Sequence, residues 1–244
     1  MKHRHLVVDL GNTRQKMGVF EDDHLIYTDQ RLVQNLDLKV WEEWRREWDP
    51  HRIALSATIQ LTDAQHEWIN QNKVVQANND VNYPFNVQYH TPETLGQDRL
   101  AAVSAVYALY KKKNVLVIDC GTCITYDFLT GDGDYLGGNI APGLRMRLRS
   151  MHEYTNRLPL VEFPDEFPWI GQSTEQALQT GGVGMAILES KGFIFYLKEN
   201  YGHLTTVLTG GDAGFIKKYL TDECDVHPDL ILYGLNEILK NNEI

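Results

Sequence analysis

An apolar run ending in Asp-x-Gly occurs twice in this chain, and that repeat constrains the fold more than any other feature. Leu6-Val7-Val8-Asp9-Leu10-Gly11-Asn12-Thr13 is echoed by Leu116-Val117-Ile118-Asp119-Cys120-Gly121-Thr122 about half a chain length later. Each run is followed by a second strand-like stretch, Gln15–Phe20 and Ile124–Phe128, so both read as β-hairpins with a Gly-containing turn. An echo at this interval suggests two similarly built halves rather than a solenoid, whose periods are about 20 to 50 residues.

The rest of the chain fits two α/β halves. Strand-like stretches fall at His24–Thr28, Arg52–Ala57, Lys73–Gln76, Tyr135–Ile140 and Leu204–Leu208. Helical patterns fall at Leu38–Trp48, where Trp41, Trp44 and Trp48 share a face, and at Gln97–Tyr110. Ser173–Leu197 reads as a long helix that Gly181, Gly182 and Gly184 break or bend, and Leu230–Lys240 closes the chain as a helix. Hairpins followed by strand–helix alternation point to a mixed sheet flanked by helices, built twice. The Lys111-Lys112-Lys113-Asn114 turn places the boundary between residues 1–113 and 114–244.

The 244 residues include 23 Lys and Arg against 33 Asp and Glu, a formal net charge of −10. Such a balance argues against nucleic acid or an anionic membrane as a partner. The apolar stretch before Asp9 is too short for a signal peptide, and no apolar run approaches a membrane span. An odd count of three cysteines without an export signal suits a reducing, cytoplasmic location.

Five segments carry chemistry. In Asp9-Leu10-Gly11-Asn12-Thr13-Arg14-Gln15-Lys16, Gly11 allows φ > 0 and close backbone approach, so that successive amide N–H groups can face a phosphate. Asn12 and Thr13 add hydrogen-bonding groups, Lys16 adds charge, and Asp9 can hold Mg²⁺ directly or through water. An ordinary hairpin turn is the bland reading of the same residues. Asp119-Cys120-Gly121-Thr122-Cys123 repeats the loop; its Cys-x-x-Cys lies between strands rather than at a helix start, so buried small side chains explain it better than redox or zinc chemistry. Thr209-Gly210-Gly211-Asp212 ends a strand and leads into a helix, leaving room for a flat ring.

Tyr89-His90-Thr91-Pro92-Glu93-Thr94-Leu95-Gly96-Gln97-Asp98-Arg99 ends at a helix start. There Asp98 is either an N-terminal cap or a base that takes a proton from a substrate hydroxyl, with Arg99 binding an anion. Gly137-Gly138-Asn139-Ile140-Ala141-Pro142-Gly143-Leu144 runs into Arg145, Arg147 and Arg149, which cannot share one helical face and receive no catalytic role. His3, His5 and His152 read as surface residues. No G-x-x-x-x-G-K-[ST] loop occurs.

The series D-x-G-N-T-x-x-K, Y-x-x-P-x-x-L-G-x-D-R, D-x-G-T-x-x-T, GG-x-I-x-PG-L and TGG, running from Asp9 to about Asp212, resembles type III pantothenate kinase. Leu158-Pro159 and Gly171-Gln172-Ser173-Thr174 fit its later pattern, and Cys123 departs from the small residue usual there. The resemblance implies an α/β fold of two ribonuclease H-like, actin-like ATPase domains. It also implies a homodimer with the substrate site near the interface, and ATP-dependent phosphorylation of pantothenate towards coenzyme A.

By the same resemblance, Asp9, Leu10, Gly11, Asn12, Thr13, Arg14, Gln15, Lys16 and Thr122 contact ATP. Tyr89, Gly96, Gln97, Asp98 and Arg99 line the pantothenate site, with Asp98 as proton acceptor. Thr174 reaches substrate across the dimer, and Asp119 holds a monovalent cation, K⁺ or NH₄⁺, alongside the Mg²⁺ of ATP. Two competing readings are a kinase of the same fold acting on another alcohol, and a catalytically silent nucleotide-binding regulator.

Overall fold

The apolar runs become strands buried on both faces. A computed structural model describes residues 3–33, 37–78, 80–220 and 223–242. The chain opens with β1 (Arg4–Leu10), β2 (Arg14–Glu21), β3 (His24–Leu32), α1 (Leu38–Trp48), β4 (Arg52–Ala57) and α2 (Asp63–Gln71). There follow β5 (Val75–Gln76), β6 (Asn86–Val87), α3 (Gln97–Leu109), β7 (Asn114–Cys120), β8 (Cys123–Leu129) and β9 (Asp134–Pro142). The remainder is α4 (Leu144–Glu153), α5 (Thr174–Gln179), α6 (Met185–Tyr201), β10 (Leu204–Thr209), α7 (Ala213–Lys217), β11 (Cys224–Val226) and α8 (Leu230–Asn241).

Two compact units result, and neither is contiguous. The first comprises residues 1–112, Leu129–Gly137 and the C-terminal segment from Asp229; the second comprises Lys113–Phe128 and Gly138–Pro228. A single cut at 113/114 therefore differs from these units, because a segment around β9 and the whole of α8 belong with the first. The repeat read from the sequence reappears as topology. Strand order is β3-β2-β1-β4-β5 in the first unit, and β9-β8-β7-β10-β11 runs in the same sense in the second. In the first sheet β1 is antiparallel to β2 and parallel to β4; in the second, β10 is parallel to both β7 and β11.

Strand alternation sorts the first unit's side chains onto two faces. Leu6, Val8, Leu10, Met17 and Val19 pack with Trp41, Trp44 and Trp68 of α1 and α2. Val7, Phe20 and Ala54 pack on the other face with Ala101 of α3 and Leu232, Leu235, Ile238 and Leu239 of α8. The contact between α3 and α8 is so close that a Cβ on Gly234 would overlap the Ala101 carbonyl, so only glycine fits there. His5 lies on this second face, buried, with Nδ1 at 2.7 Å from Asn236 Oδ1. Its reading as a surface residue is corrected by the strand period, which its basic neighbours obscured.

Between α5 and α6 the three glycines neither stop nor sharply end the helix. They form a π-helical turn, Thr180–Gly184, through which the helix continues to Tyr201. Gly182 lies against Leu148 and Gly184 against Phe167, so small residues here admit neighbouring side chains. Among the described residues no helix is long and apolar enough to cross a membrane.

Candidate active site

The face of the first sheet covered by α3 and α8 carries the polar strand ends. Asp9 follows His5 and Val7 in the two-residue period of β1. Lys16 of β2 stands directly opposite Asp9, and Ser56 of β4 stands beside it in the parallel register. Ser56 is fully buried and its hydroxyl donates to Asp9 Oδ1 at 2.6 Å. One residue on, the Ala57 amide donates to Gln97 Oε1 at 3.0 Å. The end of β4 thus ties the phosphate-loop candidate, through Asp9, to the first residue of α3. Neither Ser56 nor this link was visible in the sequence, where Leu55-Ser56-Ala57 carries no motif signal.

The loop between β1 and β2 is a tight turn over Gly11, Asn12 and Thr13, closed by Gly11 N–H donating to Arg14 O at 3.0 Å. Gly11 does not use the positive φ open to glycine. Its role is space: a Cβ would stand 3.2 Å from the Arg14 carbonyl. Asn12, Thr13 and Arg14 are exposed, and Asn12 and Thr13 border a recess of about 330 Å³ completed by Leu32 and Val33. Leu10 and Gln15 point the other way, into the core; the Gln15 side chain is fully buried and accepts from Trp41 Nε1 at 3.4 Å. Any part these two play in binding falls to their backbone.

The acceptor-side candidates gather in the same unit. Gly96 occupies the N-cap position of α3 and no side chain caps the helix. Asp98, in the first turn, accepts the Arg99 N–H at 2.8 Å. A Cβ on Gly96 would come within 2.5 Å of Asp98 Oδ1, so the glycine makes room for the carboxylate. Arg99 is buried, with its guanidinium 5.8 Å from the centre of the Tyr89 ring. Tyr89 in turn packs on Gly137, where a φ of +86° and the Tyr89 ring, 3.0 Å from where a Cβ would stand, both favour glycine.

Electrostatics join the two groups. Burial pushes the Asp9 carboxyl up; the Ser56 hydrogen bond pulls it down, the charge of Asp98 raises it and Lys16 lowers it, for a net value of about 7. Asp98 therefore lies close enough to Asp9 to act on its charge. Two carboxylates near enough to feel each other's charge, with a lysine opposite one of them, suit transfer of an anionic group to an alcohol.

In the second unit, Asp119 ends β7 as Asp9 ends β1, and Gly121-Thr122 forms the turn into β8. Gly121 N–H donates to Cys123 O at 3.1 Å, and the Gly143 backbone sits so tightly on the turn that a Cβ would overlap the Gly121 and Thr122 carbonyls. Gly210, at φ +84°, folds its backbone onto Asp119 Oδ1 and Cys120, leaving no room for a Cβ. Asp212 N–H donates to Cys120 O at 2.9 Å. Cys120 is buried and its thiol is raised well above the usual range, first by burial and then by Asp119, so it stays protonated. That agrees with a packing role for the Cys-x-x-Cys pair.

The three arginines after Gly143 face different partners. Arg145 holds Asp212 at 2.5 and 2.7 Å and covers the Phe163 ring, Arg147 forks onto Glu189, and Arg149 pairs with Glu153. Thr174 is the exposed first residue of α5, capped by Ser173.

Known proteins place these features in one family. The family model for type III pantothenate kinase matches residues 5–194. The type III pantothenate kinase of Phocaeicola vulgatus is 38% identical over 240 residues, covering 98% of each chain. Among solved structures, a Campylobacter jejuni protein described as a Baf family transcriptional activator superposes with a TM-score of 0.62 at 21% identity, over 97% of this chain and 98% of that one. The ethanolamine utilization protein EutJ of Carboxydothermus hydrogenoformans does so with a TM-score of 0.55 at 14% identity, over 98% and 90%. The structural likenesses bear on the fold alone, which is that of the actin-like ATPases. With the motifs, the paired hairpins and a full-length relative in agreement, the chain belongs to the type III pantothenate kinase family.

Proposed function

We propose that the chain transfers the γ-phosphoryl group of ATP to the primary hydroxyl of pantothenate, giving 4'-phosphopantothenate, the first step towards coenzyme A. The observation that carries the reading is the approach of Asp98 to Asp9 within one unit, with Lys16 opposite Asp9. In this reaction the pantothenate oxygen bonds to the γ-phosphorus as the bond to the β,γ-bridging oxygen breaks. ADP leaves, and the hydroxyl proton passes to Asp98. The amides of the Gly11–Thr13 turn and the Lys16 ammonium face the phosphates, Thr122 contributes a second contact, and Tyr89, Gly96, Gln97 and Arg99 line the acceptor. Arg99, buried beside Tyr89, suits the pantothenate carboxylate.

A monovalent cation belongs at Asp119. Two glycines, Gly121 and Gly210, close around its Oδ1 where any Cβ would intrude. K⁺ or NH₄⁺ held by Asp119 would supply positive charge towards the phosphates, and Asp9 would be available to hold the Mg²⁺ that accompanies ATP. The expected result is ATP- and pantothenate-dependent ADP release in a coupled assay, falling at least about tenfold when K⁺ is replaced by Na⁺. No turnover with pantothenate, against turnover with another alcohol, would overturn the acceptor; unchanged rates in Na⁺ would overturn the cation.

The working form is a homodimer in which Thr174 reaches the partner's substrate. On α6, Met185, Leu188 and Phe195 are exposed at helical spacing, with Gly192 between them. An apolar stripe of that kind is what a second copy covers. Sedimentation at micromolar concentration should return twice the chain mass; a monomer throughout would overturn the assignment of Thr174. Cys120, Cys123 and Cys224 are thiols rather than disulfide partners, which accords with work in the reducing cytoplasm.

A further inference from the structure

We infer that Asp229 is a positioning residue for the phosphate-binding lysine, acting on nucleotide through Lys16 without touching it; this rests on the kinase reading of the Asp9–Lys16 loop. Asp229 precedes α8 at its N-cap position, where an Asp side chain ordinarily accepts a first-turn N–H. Here it makes no cap hydrogen bond. Its Oδ1 instead lies 2.6 Å from Lys16 Nζ. Carboxylate and ammonium thus form an ion pair at the start of α8.

The anchor is rigid although the lysine is not. Leu230, Leu232, Leu235, Ile238 and Leu239 of α8 are buried, and Gly234 locks the helix on the Ala101 backbone. Arg52 Nη1 also donates to Leu239 O at 2.6 Å. Lys16 extends a flexible four-carbon stem from β2 on the same face of the sheet as Asp9. Left alone, such a side chain samples many rotamers and loses that freedom on gripping a phosphate. Held by Asp229, the ammonium keeps one position on the sheet face that carries Asp9, which stands opposite Lys16 in the register. With side-chain exposures of 26% for Lys16 and 32% for Asp229, the pair is too solvated to stabilise the fold much. Its value lies in orientation.

Three variants separate this role from capping. Asp229→Asn keeps the preferred N-cap chemistry and removes the charge; Asp229→Ala removes both; Asp229→Glu restores the charge. Nucleotide affinity by calorimetry and steady-state kinetics are read together. We expect Asn and Ala alike to raise the ATP dissociation constant and KM about five- to tenfold, with the pantothenate KM unchanged and Glu recovering part of the loss. In a Lys16→Ala background, Asp229→Ala should add nothing further. If Asn behaves as wild type while Ala lowers Tm, the residue is a cap only; if the two losses add, Asp229 does not act through Lys16. Either result overturns the inference. Absence of ATP binding by the wild-type chain would instead strike the kinase reading itself.

Discussion

Asp98→Asn is expected to lower turnover about a thousandfold while leaving the affinities for ATP and pantothenate within about threefold of wild type. The substitution is close to isosteric, and its side-chain oxygen can still accept the Arg99 N–H that now reaches Asp98 Oδ1 at 2.8 Å. Gly96 leaves the same space, and Arg99 and Tyr89 keep their contact. What disappears is the basic site for the hydroxyl proton. In a loose phosphoryl-transfer transition state that proton becomes acidic late, so an ordinary carboxylate serves as acceptor and an amide does not. Single-turnover measurement of phosphopantothenate formation separates the chemical step from product release. Turnover within about tenfold of wild type would return Asp98 to the other role its position allows, satisfying the first turn of α3.

That choice could not be made from sequence, and the reason is specific. The Asp-x-Gly runs announced β1 and β7, because a short apolar run ending in Asp-x-Gly leaves few alternatives to a strand and turn, and the echo announced two similarly built halves. The relation of Asp98 to Asp9 is tertiary: it depends on β4 lying parallel to β1 and on Gln97 bonding to the end of β4. Ser56 and Asp229 escaped notice for the same cause, since each acts across an interval with no local pattern. Gln15 shows the converse. Family position placed it among ATP contacts, yet strand alternation turns its side chain towards Trp41. Of the two freedoms glycine offers at position 11, close backbone approach and a left-handed conformation, the turn uses only the first. The discontinuous units were hidden because α8 contains no repeat-like signal; its apolar face records only that something covers it.

The second large effect concerns Asp9, where function and stability should pull in opposite directions. Burial, more than any other cause, holds its carboxyl at about 7 instead of 3.8. Below about pH 4 the folded and unfolded chains both carry the proton and the group has no effect on stability. From there to about pH 7 the unfolded chain has released the proton and the folded chain retains it, so stability falls as pH rises; above 7 the penalty is constant. Asp9→Asn removes the titration. Its Tm should gain on wild type progressively between pH 4 and 7 and hold that gain above, by several degrees, the net cost left after Ser56 and Lys16 have offset part of the burial. The same variant should lose about a hundredfold or more in kcat/KM for ATP, the scale expected when a preorganised charge at a phosphoryl-transfer site is removed. Parallel Tm profiles would show that Asp9 is ionised in the folded state at acid pH. Near-normal kcat/KM would show that the strand-end carboxylate is a structural relic of the hairpin. A charge kept where it weakens the fold, beside a buried serine that holds it in place, is otherwise hard to account for except by the chemistry it serves.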